Sequence, residues 1–154
     1  MNSSEKTSIR HRELNMVYLL GGKNIITQPL RSGFDIISLS NDGITKASLD
    51  ALSVHLGISK KVFAESILGI SVKTLERKKS TDKLDKYISS HVIEIAKVAK
   101  HAFDVFEDED MVKKWLNTPN RALNNIKPVD LFYISTGLGM VDDILGRIEY
   151  GVYS

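Results

Sequence analysis

The side chains best suited to chemistry in this chain are those that could grip nucleic acid. In the stretch LGISVKTLERKK, Ser71, Val72 and Lys73 follow the turn Gly69-Ile70, with Glu76 and Arg77 one helical turn later. On a short helix opened by Ser71 these groups would meet base edges in a major groove, where an arginine can pair bidentately with guanine. Lys60, Lys61, Lys78, Lys79 and Lys83 would meet phosphates, which fix position and register but carry no base information. Glu76 fits only by accepting from cytosine, because the phosphates repel a carboxylate in the groove. The competing reading is an ordinary helical turn with a solvated lysine face, and so short a motif leaves both open.

A second group of side chains gathers at the other end of the sequence: Arg147, Glu149, Tyr150, Gly151, Val152, Tyr153 and Ser154. Gly151 is a natural helix stop. Apolar and aromatic groups just beyond it are a liability in water, so this ending is either frayed or covered by a partner. A carboxylate on Ser154 could then pair with an arginine of that partner.

Enzyme chemistry lacks its residues. His11, His55, His91 and His101 form no HExxH pair, and no GxSxG elbow, Walker A loop or GxGxxG run is present. Asp142 and Asp143 are adjacent and point apart on a helix, which suits no acid/base couple. The absence of cysteine removes disulfides and thiolate metal sites. No metal or cofactor is expected, and an enzyme is the weakest reading. Trp115, Phe132, Tyr133, Tyr150 and Tyr153 in an acidic region read as core or protein-interface anchors rather than a platform for stacked bases.

These groups need helices to position them. Ser59 to Leu68 and Ser71 to Lys78 predict two short helices, with Ser59 and Ser71 as N-caps, Gly69 in the turn, and Leu68, Ile70 and Leu75 wedged between them. Counting back from Gly69, the small residue such a pair wants falls on Glu65, with Ala64 one place off. Upstream, a helix over Ile9 to Leu20 stops at Gly21-Gly22, and Lys23 to Gly33 is a loop. Phe34 to Leu39 is helix or strand, since a short apolar run suits both. Thr45 to Leu56 is a helix with Leu49, Leu52 and Leu56 on one face. Downstream, Leu84, Ile88, Val92, Ile95, Ala99, Ala102 and Phe106 alternate steps of four and three along one long helix, either packed within the chain or forming a dimer seam.

Glu107 to Asp110 reads as a cap with first-turn negative charge for the helix ending at Trp115. Pro119 and Pro128 mark two further helix starts around an Asn124-Asn125 turn, giving a helical hairpin. Over Gly137 to Tyr150, Leu138, Val141, Ile144, Leu145 and Ile148 form one apolar stripe, outside which Asp142, Asp143, Arg147 and Glu149 lie. Gly146 inside that helix suggests close approach of another backbone, such as that of a second copy in a two-fold dimer.

The 154 residues, 42% of them hydrophobic, suffice for one compact domain or two small ones, and their patterning is all-α. Charge is unevenly spread. Residues 57–100 hold ten Lys/Arg against five Asp/Glu, and residues 101–154 hold five against nine. A basic middle suits nucleic acid and an acidic end suits a protein partner. The longest apolar run near the N-terminus, Met16 to Leu20, is too short for a signal sequence, and no span reaches membrane length. A cytoplasmic protein is expected, nucleoid-associated when bound to DNA.

The runs WLNTPNRALNNIKPVDLF and GMVDDILGRIEYGVYS resemble the C-terminal toxin-binding domain of the Xre/MbcA/ParS antitoxins, and the likeness extends upstream through LGISVKTLERKK to about Leu19. Arg121 to Asn125 stand where that family has Pro-Ala-Leu-Gly-Gly, and Lys127 stands where a threonine would cap the next helix. The resemblance implies an N-terminal helical domain, 1–106, with an Xre-like helix-turn-helix at about 59–79. A long helix joins it to a small toxin-binding and dimerisation domain, 107–154. It favours helix for Phe34 to Leu39. It implies an antitoxin that neutralises a RES-domain, NAD-consuming toxin by covering its active site with the C-terminal segment. It further implies repression of its own operon through operator DNA, as a homodimer within a higher-order toxin–antitoxin complex and away from membranes. The alternative is a stand-alone helix-turn-helix repressor whose C-terminal domain only dimerises.

Overall fold

The computed structural model describes residues 15–151, so the expected helix start at Ile9 lies outside them. Among these residues the chain is helices and turns without a strand, its only ladder fragments being the isolated bridges Thr45–Lys83 and Asn120–Ile126. The all-α expectation holds.

The first described helix, α1, Met16–Leu19, opens at Asn15, whose side chain accepts from the Tyr18 N–H. Helix α2, Gly33–Asp42, settles the ambiguity over Phe34 to Leu39. Ser32 Oγ accepts from the Asp35 N–H while Asp35 Oδ2 accepts from the Ser32 and Arg31 N–H groups, a capping box that a strand could not use. Those bonds, the one from the Arg31 backbone foremost, hold the Asp35 carboxyl below the ordinary carboxylate range. Helix α3, Lys46–Leu56, starts at the Thr45 cap and ends at Gly57, whose φ of +68° is left-handed. Its Leu49, Leu52 and Leu56 are fully buried, as their spacing predicts.

Two short segments follow, α4 at Val62–Leu68, wound as a π-helix, and α5 at Val72–Glu76. The chain then returns to α3. The Lys46 and Ala47 N–H groups, unpaired within their own helix, donate to Asp82 O and Ser80 O. Leu84 N–H donates to Ile44 O, and Gly43 lies so close that a Cβ there would be 2.5 Å from Leu84 O.

Helix α6, Lys86–Phe106, is the centre of the molecule. Val92, Ile95, Ala99 and Ala102 of the predicted stripe are buried, and so are Ile93, Ala96 and Phe103 on a neighbouring one. This second stripe exists because α6 is packed from several sides, by α2, α1 and α3 and by the two helices that follow it. The heptad face is therefore covered by the chain itself and does not form a dimer seam. Leu84 belongs to the buried set but precedes the helix.

Helix α7, Glu109–Leu116, has Asp108 as its cap and Glu109 and Asp110 in its first turn, as the acidic run predicts. The helical hairpin expected next is corrected. Arg121–Leu123 and Pro128–Leu131 are single 3₁₀ turns, and Pro119 precedes the Asn120 cap rather than opening a helix. Only three residues separate Asn120 from Asn124, too few to propagate i→i+4 bonding. Asn124 and Asn125 both take positive φ, +55° and +62°, so asparagine keeps the left-handed turn where the resembled family has glycines.

Helix α8, Ser135–Glu149, buries Leu138, Val141, Ile144 and Leu145 within the chain. Among the described residues no backbone beyond the helix's own approaches Gly146. A Cβ there would meet only His101 Cε1, at 4.0 Å, whereas at Gly137 it would lie 2.0 Å from Leu131 O. Gly137 is where a backbone crosses closely. Two substitutions should consequently differ in sign. Gly137→Ala forces the 3₁₀ turn off α8 and should lower unfolding free energy by about 1–3 kcal/mol, while Gly146→Ala should raise it by up to about 1 kcal/mol through helix propensity. Urea denaturation of the two variants beside the unmodified chain measures both.

Candidate functional site

The residues singled out for nucleic acid fall on α4, α5 and the turns around them. Ser59 Oγ accepts from the Val62 N–H at 3.1 Å, so the first helix is capped as expected. The π winding resolves the one-residue offset between Ala64 and Glu65. A π turn holds one residue more than an α turn. The Gly69 and Ile70 N–H groups both reach back to Ala64 O, and Ala64 is fully buried while Glu65 is exposed. Gly69 closes the helix at φ +68°.

Glu65 is thereby turned outward and takes a role that the sequence reading did not assign. Ser71 flanks α5 as its N-cap but makes no side-chain cap bond, and Glu65 Oε2 instead accepts from the Val72 N–H at 3.3 Å. A carboxylate at a helix N-terminus also meets the positive end of the helix dipole. The available signal was a carboxylate one turn before the helix-ending glycine and seven residues before Val72, but Ser71 already reads as the cap there.

The expected helix Ser71 to Lys78 is shorter. Arg77 is its C-cap, with its N–H on Lys73 O, and Lys78 and Lys79 lie in the next turn. Leu75 is buried and anchors α5, leaving Ser71, Lys73, Glu76 and Arg77 exposed, with Val72 half-buried. Lys60 and Lys61 are exposed at the start of the preceding helix, although Lys60 Nζ is shared with Asp50 at 3.5 Å. Among the described residues Lys61, Lys73, Arg77, Lys78 and Lys79 enter no ion pair, so their charge is free for a ligand. The turn bearing Lys78 is itself tethered, since Lys46 Nζ donates to Lys78 O and the Lys79 N–H to Asp82 Oδ2.

The second group lies at the end of α8. Arg147 and Glu149 are exposed, Tyr150 is 80% exposed, and Gly151 turns the chain at φ +66°. Val152, Tyr153 and Ser154 lie outside the described residues. His101 of α6 holds this end in place, with Nδ1 2.7 Å from Asp142 Oδ1 and Nε2 3.5 Å from Glu149 Oε2. His91 Nε2 meets Phe132 O at 2.7 Å and fixes the turn before α8. Glu149 is thus partly engaged within the chain, while Arg147 and Tyr150 project from it.

If Glu65 caps α5, Glu65→Ala should lower stability by about 1 kcal/mol, and Glu65→Gln, which keeps an acceptor, by less. Equilibrium unfolding monitored by far-ultraviolet circular dichroism tests this.

Residues 101–151 match the family described as the antitoxin Xre/MbcA/ParS C-terminal toxin-binding domain. The chain is 27% identical over 128 residues to a protein of Photorhabdus laumondii subsp. laumondii named Antitoxin Xre, covering 82% of this chain and 86% of that protein. It is 26% identical, over the same length and shares, to an Antitoxin Xre of Yersinia enterocolitica serotype O:8 / biotype 1B.

Proposed function

We propose that this chain, an antitoxin of the Xre/MbcA/ParS type, neutralises a RES-domain toxin that consumes NAD and represses its own operon by binding operator DNA as a homodimer. The observation that carries the toxin half is a coincidence of place. The segment matching a toxin-binding domain ends where α8 presents Arg147, Glu149 and a Tyr150 side chain that the chain's own core leaves uncovered. A partner that buried Tyr150 would gain on the order of 1.5–3 kcal/mol from apolar area alone. The RES identity of that partner and its NAD chemistry come from the resemblance. In this reading Gly151, Val152, Tyr153 and Ser154 continue the contact into the toxin's pocket.

Deleting residues 151–154 removes no core side chain among those described, so folding and DNA binding should persist while inhibition of the toxin fails. NAD consumption by purified toxin, titrated with full-length and shortened chain, decides the matter. Equal inhibition by both would place the antitoxin action elsewhere.

The DNA half is supported by the exposed, unpaired cations of α5 and its flanking turns. Arg77→Ala should cost about 1–3 kcal/mol on operator DNA and relax base preference, whereas Lys78→Ala should weaken all sequences alike and reduce the salt slope by about one unit. Binding isotherms on operator and random duplexes at several salt concentrations separate the two. A plain repressor would show the DNA behaviour without any protection against toxin.

A further inference from the structure

Large exposed apolar side chains outside the segment that matches a toxin-binding domain lie on α2 and α6, where Ile37 and Tyr87 line one groove and Phe34 is one turn before Ile37. Phe34 is 85% exposed, Ile37 56% and Tyr87 76%. Phe34 and Ile37 are three residues apart on α2, hence on one face. Between the helices runs a groove of about 340 Å³ lined by Ile37, Asn41, Lys86, Tyr87, Ser90 and Glu94. With roughly 150–250 Å² on a whole aromatic side chain, the three exposed groups offer about 400 Å². That is near half of the roughly 800 Å² per partner in a stable interface, the remainder falling to a polar rim.

Along α6 the exposed stripe reads Tyr87, Ser90, Glu94, Lys97. Lys86 and Glu94 stand four residues on either side of Ser90, one turn before and one turn after. A two-fold interface must be complementary to itself, residue i meeting j and j meeting i. An antiparallel crossing of two α6 helices at Ser90 meets this condition: each Lys86, 5.2 Å over its own Tyr87 ring, would face the other copy's Glu94, which its own Lys97 reaches at 3.6 Å on the exposed surface, and a small residue at the crossing lets the axes approach. In such a crossing Ile37, which shares the groove with Tyr87, and Phe34 one turn before it would be placed to cover the partner's Tyr87. The α8 helix, offered by the sequence for pairing through Gly146, buries its apolar stripe inside the chain.

We infer that the face formed by Phe34, Ile37 and Tyr87, with Lys86 and Glu94 astride Ser90, is the surface through which two copies of this chain pair. The inference supplies a location for the homodimer proposed above and depends on no toxin or DNA contact.

Sedimentation of the full chain alone, with neither toxin nor DNA present, tests it, so its failure and that of the antitoxin reading are separable. The chain should be a dimer at tens of micromolar, and Phe34→Asp, at an exposed position, should leave the fold intact and give a monomer. Lys86→Glu and Glu94→Lys should each weaken pairing by about tenfold or more through like charges facing across the axis. The double exchange should recover most of that loss. A monomeric unmodified chain, a dimer indifferent to Phe34→Asp, or a double exchange no tighter than the single ones would each overturn the inference. It is equally overturned if Phe34→Asp abolishes toxin capture by a chain that is monomeric throughout.

Discussion

A single buried hydroxyl holds together the parts on which the rest of the structure depends. Ser89 Oγ, with no solvent exposure, accepts from the Ile44 N–H at 3.0 Å and donates to Leu84 O at 3.2 Å, while the Leu84 N–H donates to Ile44 O at 2.8 Å. These bonds join the end of α2, the start of α3 and the start of α6 at one point. Each such group, if left unpaired in the interior, would cost about 1–3 kcal/mol, so the arrangement is specific as well as stable. The turn carrying Lys78 and Lys79 hangs from the same junction through Lys46 and Ala47. The placement of the basic surface therefore depends on backbone groups and on Ser89, Lys46 and Asp82, not only on the cations it presents.

At the other end of α3 the acidic part of the chain supplies the ties. Asn117 Nδ2 donates to Leu56 O at 3.0 Å, the His55 ring pairs with Glu109, and Lys113 packs over Gly57. Leu56 O is one of the carbonyls that a helix end leaves without an intrahelical partner. Its satisfaction by a residue of the segment that matches a toxin-binding domain means that the helix leading into α4 and α5 is finished by groups from the far end of the sequence.

What could be read from the sequence alone was whatever one element determines by itself. Ser59, Asp108, Gly69 and Gly151 act through their own backbone and a neighbour within one turn, and each is found in its predicted role, whereas Ser71, read as a cap in the same way, makes no side-chain cap bond. The apolar stripes of α3, α6 and α8 follow from helical period. The misses are tertiary. Gly137 and Gly146 are both glycines in one helix, and only the path of the 3₁₀ turn decides which of them meets a backbone. The π winding of α4 buries Phe63, Ala64 and Ile67, and Glu65, exposed beside them, meets the Val72 N–H of the next helix, a contact no single element specifies. Of the two candidate sites, the outward set Ser71, Lys73, Glu76 and Arg77 follows from the burial of Leu75, but the shortness of α5 was not legible, because nothing local distinguishes Glu76 from Arg77 as the last helical residue.

The central place of α6 also constrains the order of events during synthesis. Leu19, Leu20, Leu49, Leu52 and Leu56 are fully buried, and α6, which packs against both their helices, lies 30 to 90 residues later in the chain. At roughly 5–20 residues per second, a ribosome needs several seconds to carry the chain from Leu56 to Phe106. Throughout that interval the first half exposes a leucine-rich surface with no partner of its own. The basic segment thus acquires its fixed position only late in translation, when the same long helix has also become available to the acidic end.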